Sequence, residues 1–255
     1  MRGFRPFFLK ELREIARTWR IWVLPSIVVV FALTGPVLAK VMPEILRSMS
    51  SEQLGGAVIS LPEPTWKDAY AQWVKNLTQI VTFALVIMLG GTVASEVRSG
   101  TAIMVLTKPV SRPAFVLAKA AANAVLVTAT TLLGAAATWA VTLAVFGEAP
   151  LRPIVQPTAA WLAWALFLVA VMTLASVLVQ SPSGAAGVGI GVYAAVSIAS
   201  LSRWAVEHTP AGLIGAPGAL LAGDRPPLSW PLAATALLSA AALGAAAALF
   251  ARKEL

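Results

Sequence analysis

The sequence predicts an all-α integral membrane protein: six transmembrane helices, an N-terminal amphipathic interfacial helix, and a short cytoplasmic helix between spans 2 and 3. Three observations carry that fold class. Of 255 residues, 58% are hydrophobic and only 12% are charged, which lies outside the composition of soluble domains. The apolar residues gather in six blocks, near 21–41, 77–95, 115–146, 159–179, 184–202 and 230–250. A span needs about 20 such residues to cross about 30 Å of hydrocarbon. Most blocks also lack an ionisable side chain in the middle, where each would cost about 3 kcal/mol.

Residues 1–20 read as the interfacial helix, and 21–255 as a single six-span domain. Phe4, Phe8, Leu12, Ile15 and Trp19 recur at steps of three or four, while Lys10, Arg13, Glu14, Arg17 and Arg20 take the opposite arc. A basic helix with an aromatic apolar face suits the membrane interface. The charged segment is long and carries Glu11 and Glu14, and the apolar stretch after it holds Pro25 and Pro36. A cleaved signal has neither feature, so 21–41 reads as a retained first span.

The loop 42–64 is the longest on the outer side, with Gly55-Gly56 and Pro62-Glu63-Pro64 as breakers. Thr65-Trp66-Lys67-Asp68 has the spacing of a capping box. It opens a helix with Trp66, Tyr70, Trp73 and Leu77 on one face, which runs into the second span. That span ends near Ser95-Glu96. A short amphipathic piece follows, with Ile103, Met104 and Leu106 apolar and Glu96, Arg98 and Lys108 wet. Pro109 ends it. Ser111 is placed to cap the third helix, with Pro113 in its first turn. From there to Phe146 the helix is about 50 Å long, several turns more than the bilayer. Its first turns, with Lys119, are expected to project into the cytoplasm. The fifth block carries Gly187-x-x-x-Gly191 and the sixth an alanine run over 240–248, and small residues let helices approach closely. The connection at 180–187 is short and uncharged.

Charge and tryptophan give the topology independently. The formal net charge is +8. Twelve of the 19 basic residues fall before the first block, between the second and third, or after the sixth. With both termini cytoplasmic, this is the positive-inside bias. Trp66, Trp73, Trp139, Trp161, Trp164, Trp204 and Trp230 fall near the outer ends of the blocks, and Trp19 and Trp22 near an inner one. Tryptophan favours the headgroup layer. The basicity is therefore topological, and nucleic acid is not expected as a partner.

Several chemistries lack their residues. There is no cysteine and one histidine, His208, so neither a thiolate nor a His-cluster metal site can form. No Gly-x-x-x-x-Gly-Lys-Ser/Thr occurs, so nucleotide phosphates cannot be held in the P-loop way. No catalytic, cofactor-binding or metal residue is assigned, and the chain is not expected to be an enzyme. The span interiors offer hydroxyls and amides but no carboxylate, which argues against ion-coupled transport. Energy has to come from elsewhere.

The run Glu96-x-x-x-Gly100-Thr101, then Lys108-Pro109-Val110-Ser111-Arg112 and Lys119, resembles the type-2 ATP-binding cassette permeases. The likeness is strongest over 77–123 and extends weakly through Lys10-Glu11-Leu12 and Phe250–Glu254. It implies a half-transporter in the inner (plasma) membrane, paired with a second permease copy or a similar chain. Two separate ATPase subunits would bind ATP and Mg. It also implies a coupling helix near 97–107, with Glu96, Arg98, Gly100, Thr101, Lys108, Pro109, Ser111 and Arg112 as the ATPase-coupling residues. The N-terminal helix would be a second contact. Export of an apolar or amphiphilic substrate is the expected function. A membrane scaffold or passive channel without ATP coupling is the alternative. Glu96 is expected to cap or to pair near Arg98 and Arg112.

Overall fold

The computed structural model describes residues 3–53, 62–107 and 109–253, with backbone alone for 46–53. The Gly55-Gly56 breaker and Lys108 lie outside the described residues. All regular structure among the described residues is helical. Helix α1 spans Phe4–Arg17, α2 Arg20–Gln53, α3 Trp66–Asn76 and, after one π-helical turn at Leu77–Val81, α4 Thr82–Leu89. The short α5 (Ala94–Arg98) and α6 (Thr101–Leu106) lead to α7 (Arg112–Phe146), α8 (Arg152–Leu178) and α9 (Pro182–Ala199). Two short helices, α10 (Arg203–His208) and α11 (Gly212–Ala222), precede α12 (Ser229–Arg252).

Six helical stretches are long and apolar enough to cross a membrane: 20–45, 66–98, 112–146, 152–178, 182–199 and 229–252. The protein is an all-α, multi-pass membrane protein. The first two spans exceed their apolar blocks the most. The first helix continues past 42, through Pro36 and Pro43, to Gln53. A proline removes one backbone hydrogen bond, and in a span local adjustments and neighbouring helices satisfy the freed groups. Here α2 packs along α7 and α3.

The second span starts at Trp66, before the apolar block, because its polar first turns have a buried face. The Thr65 N–H donates to Asp68 Oδ2 at 2.8 Å, which closes the expected cap. Ala69, Tyr70, Trp73 and Val74 are then buried, and the Trp73 indole donates to the Thr158 hydroxyl at 3.0 Å. At the π turn, the Thr82 hydroxyl donates to the Leu77 carbonyl at 3.0 Å and accepts from the Trp161 indole at 3.1 Å. One cross-helix bond therefore steadies the local irregularity. Lower down, the span breaks between α4 and α5. Ser176 of α8 repairs the break: its hydroxyl accepts the Val93 and Ala94 N–H groups and donates to the Gly90 carbonyl, all at 2.9 Å.

The core follows α7 and α8. α8 is the most buried span, while α9 and α12 are the least. Gly187 and Gly191 have open space where a side chain would be. The close approach in α9 is made by Gly189 instead, against Met172 and Val86. The two ends of the bundle are distinct. Arg112 reaches the Ala251 and Lys253 carbonyls, and Lys253 the Val177 carbonyl, so both ends of the described chain meet at one end. At the other end Lys40 donates to the Val145 carbonyl at 2.8 Å and Tyr70 to that of Pro150 at 3.2 Å.

Seven of the nine tryptophans divide into two sets, while Trp66 and Trp139 are half-buried. Trp19 and Trp22 are exposed at the first end, and Trp204 and Trp230 at the second, where headgroups would lie. Trp73, Trp161 and Trp164 are buried in the main core instead of facing headgroups. Two of them have hydroxyl partners inside the bundle, so the indole N–H needs no interface.

Candidate functional site

The strongest concentration of polar side chains lies where α1, α5 and the start of α7 meet. Lys119 is 1% exposed, so it does not project into water as its position on a long helix suggested. Its Nζ donates to Glu11 Oε2 of α1 at 2.8 Å and pairs with Glu96 Oε1 of α5. The ammonium also lies over the rings of Phe115 and Phe7, at 5.1 and 5.7 Å from their centres. The first turns of α7 are covered by α1 and α12. Phe7, Phe115 and Phe250 stack through that contact, with centroid distances of 5.1 and 5.3 Å.

The buried stripe of α1 therefore differs from the sequence pattern. It is Phe7, Glu11 and Ile15, spaced by four. Phe4, Phe8 and Leu12 sit half-buried on its flank. Trp19 leaves the stripe altogether, because α1 ends at Arg17 and Thr18 is extended; Trp19 is 58% exposed. A periodicity that scores every glutamate as wet cannot place Glu11 inward. A carboxylate goes inside when a cation meets it there.

Lys10, on the exposed side of the same cluster, donates to Glu11 Oε1 at 3.0 Å and pairs with Glu14. Burial disfavours both charged forms, but their mutual hydrogen bond and attraction outweigh it. The Lys10 pKa is raised and that of Glu14 is lowered. The carboxylates of Glu11, Glu14 and Glu96 lie within 4.8 Å of one another. Two ammonium groups already stand among them, which is the charge a metal ion would otherwise supply.

Glu96 does not pair with Arg98 or Arg112, contrary to the sequence expectation. Arg98 is exposed and lines a surface recess with Val97, Gln180 and Ser181. Arg112 is used up on the Ala251 and Lys253 carbonyls, at 3.1 and 2.7 Å. The second Glu96 oxygen has no hydrogen-bond partner. The helix read over 97–107 is two helices, α5 and α6, divided by Ser99 and Gly100. Gly100 has φ +74°, and nothing lies within 4 Å of the point where a Cβ would stand; the left-handed backbone alone calls for glycine there. Thr101 fixes the turn, its hydroxyl donating to the Glu96 carbonyl at 3.3 Å.

Beyond the turn, α6 buries Ala102 and leaves Ile103 and Met104 50% and 67% exposed. Pro109 and Val110 lie against Gly3, at the start of α1. Ser111 occupies the N-cap position of α7, yet its hydroxyl makes no cap bond and has no partner. Its carbonyl still accepts the Phe115 N–H at 3.0 Å. The structure thus joins Glu96 and Thr101 across the Gly100 turn, sets Pro109 against Gly3, leaves the Ser111 hydroxyl unpartnered, and sends Arg98 and Arg112 elsewhere. It adds Glu11 and Lys119 as the pair that closes the joint. Spacing alone does not place them: Glu11 lies four residues from both Phe7 and Ile15, and Lys119 four from Phe115 and Asn123, but only their meeting makes burial tolerable.

Mechanically, α6 is an exposed apolar ledge fastened through a tight turn and a buried ion-pair triad to the long α7 and to α1. Residues 6–204 match the family model of the ABC-2 family transporter proteins. The chain is also similar to YxlG, an uncharacterized transmembrane protein of Bacillus subtilis (strain 168). The two are 24% identical over 190 residues, 74% of this chain and 73% of the relative.

Proposed function

The chain belongs to the ABC-2 transporter family, and on that premise we propose that it is the membrane-spanning permease subunit of an ATP-driven exporter in the plasma membrane. Two copies, or this chain and a similar one, form the pathway, and two separate ATPase subunits bind ATP and Mg. The chain itself does no covalent chemistry. The end that carries α1 and residue 253 is cytoplasmic, and the exposed face of α6 seats in the ATPase.

The observation that supports this reading best is the joint. Ile103 and Met104 stand out on a six-residue helix whose base is tied to Glu11 and Lys119. Exposed apolar side chains on a short helix flanked by polar residues suit a protein partner. One such ledge per chain fits two copies for two ATPases. The apolar walls of the spans suit an apolar or amphiphilic substrate.

The test is to purify the chain from its native membrane and assay co-purifying ATP hydrolysis. A separate nucleotide-hydrolysing subunit is expected with the parent chain. It is expected to be lost, with the permease intact, in Met104→Asp. Transport that continues after ATP depletion would overturn the proposal.

A further inference from the structure

At the end of the bundle opposite Lys119, a cleft of ≈ 690 Å³ opens between the start of α3, the start of α8 and the loop after α11. That is within the usual size of a small-molecule site, about 300–1,000 Å³. Three helix-end features shape it. The Thr65–Asp68 cap fixes where α3 begins. α8 begins at Arg152 with Pro153 in its first turn. α11 ends on Gly223 at φ +94°, and the Asp224 N–H donates back to the Ala219 carbonyl at 2.9 Å. That closure turns the chain so that Asp224 and Arg225 come to the cleft.

The charges on its wall are unbalanced. Lys67, Arg152 and Arg225 line it, against Asp224 alone. None of the three cations is in an ion pair among the described residues. Asp68, the carboxylate next to Lys67, is committed to the Thr65 cap. At the Lys119 end, by contrast, each buried charge has an opposite charge beside it. Trp66 and Leu221 supply an apolar part of the wall. The exposed Trp204 and Trp230 are at this same end, so the cleft opens at headgroup depth.

We propose that this cleft binds the phosphate headgroup of an anionic amphiphile. Two guanidinium forks and one ammonium match the oxygens and charge of a phosphate. The apolar wall and the lipid-facing spans below it take the alkyl part. The proposal is independent of ATP coupling, since no residue of the joint contributes to it.

The test uses the full chain in detergent, titrated with phosphatidylglycerol or phosphatidylcholine and read by native mass spectrometry. Phosphatidylglycerol is expected to bind in preference. Lys67→Gln, Arg152→Gln and Arg225→Gln are each expected to weaken it about fivefold, the effect of about 1 kcal/mol per basic residue. Arg203→Gln, a cation at the same end outside the cleft, is expected to change nothing. Asp224→Asn is expected to tighten binding, which a misfolded variant could not do. Inorganic phosphate is then added as competitor. Displacement of the lipid identifies a site for phosphate itself, and retention identifies a site that requires the alkyl chains. Equal binding of phosphatidylcholine, or equal losses in Arg152→Gln and Arg203→Gln, would overturn the proposal.

Discussion

Two connections reach the same end of the bundle and are built in opposite ways. Between the second and third spans the chain makes two short helices and a left-handed turn, and it is bonded to α8 through Ser176, to α7 through Lys119 and to α1 beyond it. Between the fourth and fifth spans it needs only Val179–Ser181. There the Ser181 hydroxyl accepts the Gly184 N–H at 3.1 Å and starts the next helix. The short connection closes a hairpin; the long one holds a ledge in place. Polar bonds buried at the membrane edge are costly to desolvate, and they are concentrated on the long connection.

The largest expected effect separates the two connections outright. Lys119→Met leaves Glu96 without a cation and Glu11 with Lys10 alone, and is expected to lower stability by about 3–5 kcal/mol. Adding Glu11→Gln and Glu96→Gln to it is expected to recover most of that loss. Thermal unfolding of the purified chain measures both, and a loss no larger than that of Ser181→Ala would erase the distinction.

Gly100→Val comes next. With open space around the position, the cost is that of the positive φ, about 1–2 kcal/mol. It is expected to fall on ATPase retention more than on insertion, and Gly100→Asn is expected to be milder. Pull-down yield against the parent chain reads it. Ser181→Ala is expected to cost about 1 kcal/mol as a lost N-cap and to leave ATPase retention unchanged, which sharpens the contrast.

How much of this was legible follows the same division. The six spans stand out because long apolar runs need no partner to be recognised. Gly100 was readable too, since Gly-Thr after a charged turn suggests a left-handed start. Glu11 and Lys119 were not, because each alone looks like a residue for water, and only their meeting across more than a hundred residues makes burial tolerable. Ser111 and Arg112 show the converse. Their positions were readable, but the Ser111 hydroxyl makes no cap bond, and the partners of Arg112 depend on where the tail of α12 packs.

The smallest expected effect concerns the exposed rim of the joint. The Glu14 pKa is lowered, so the contribution of its pair with Lys10 is present above the ordinary carboxylate range and fades as pH falls through the lowered value. The raised Lys10 pKa makes the same contribution present below its ordinary value and lost as pH rises through the raised one. Both side chains are about two-fifths exposed, so solvent and salt weaken the pair. Labelling of an Ile15→Cys variant, buried in the parent position, normalised at each pH to a free thiol because the thiolate is the reactive form, is expected to speed up modestly as pH falls below the ordinary carboxylate range, with a smaller pH effect in high salt. A normalised rate that stays flat through the acid range would show that the rim pair does not help hold α1.

The central claim is that the connection between spans two and three, and not its short counterpart, meets the ATPase. The chain has no native cysteine, so single cysteines can be placed at Met104 and at Gln180 and cross-linked in the assembled complex with a short bifunctional reagent. The account predicts a permease–ATPase product from Met104→Cys that depends on an intact Lys119, and little or none from Gln180→Cys. A product from Gln180→Cys with none from Met104→Cys would contradict it.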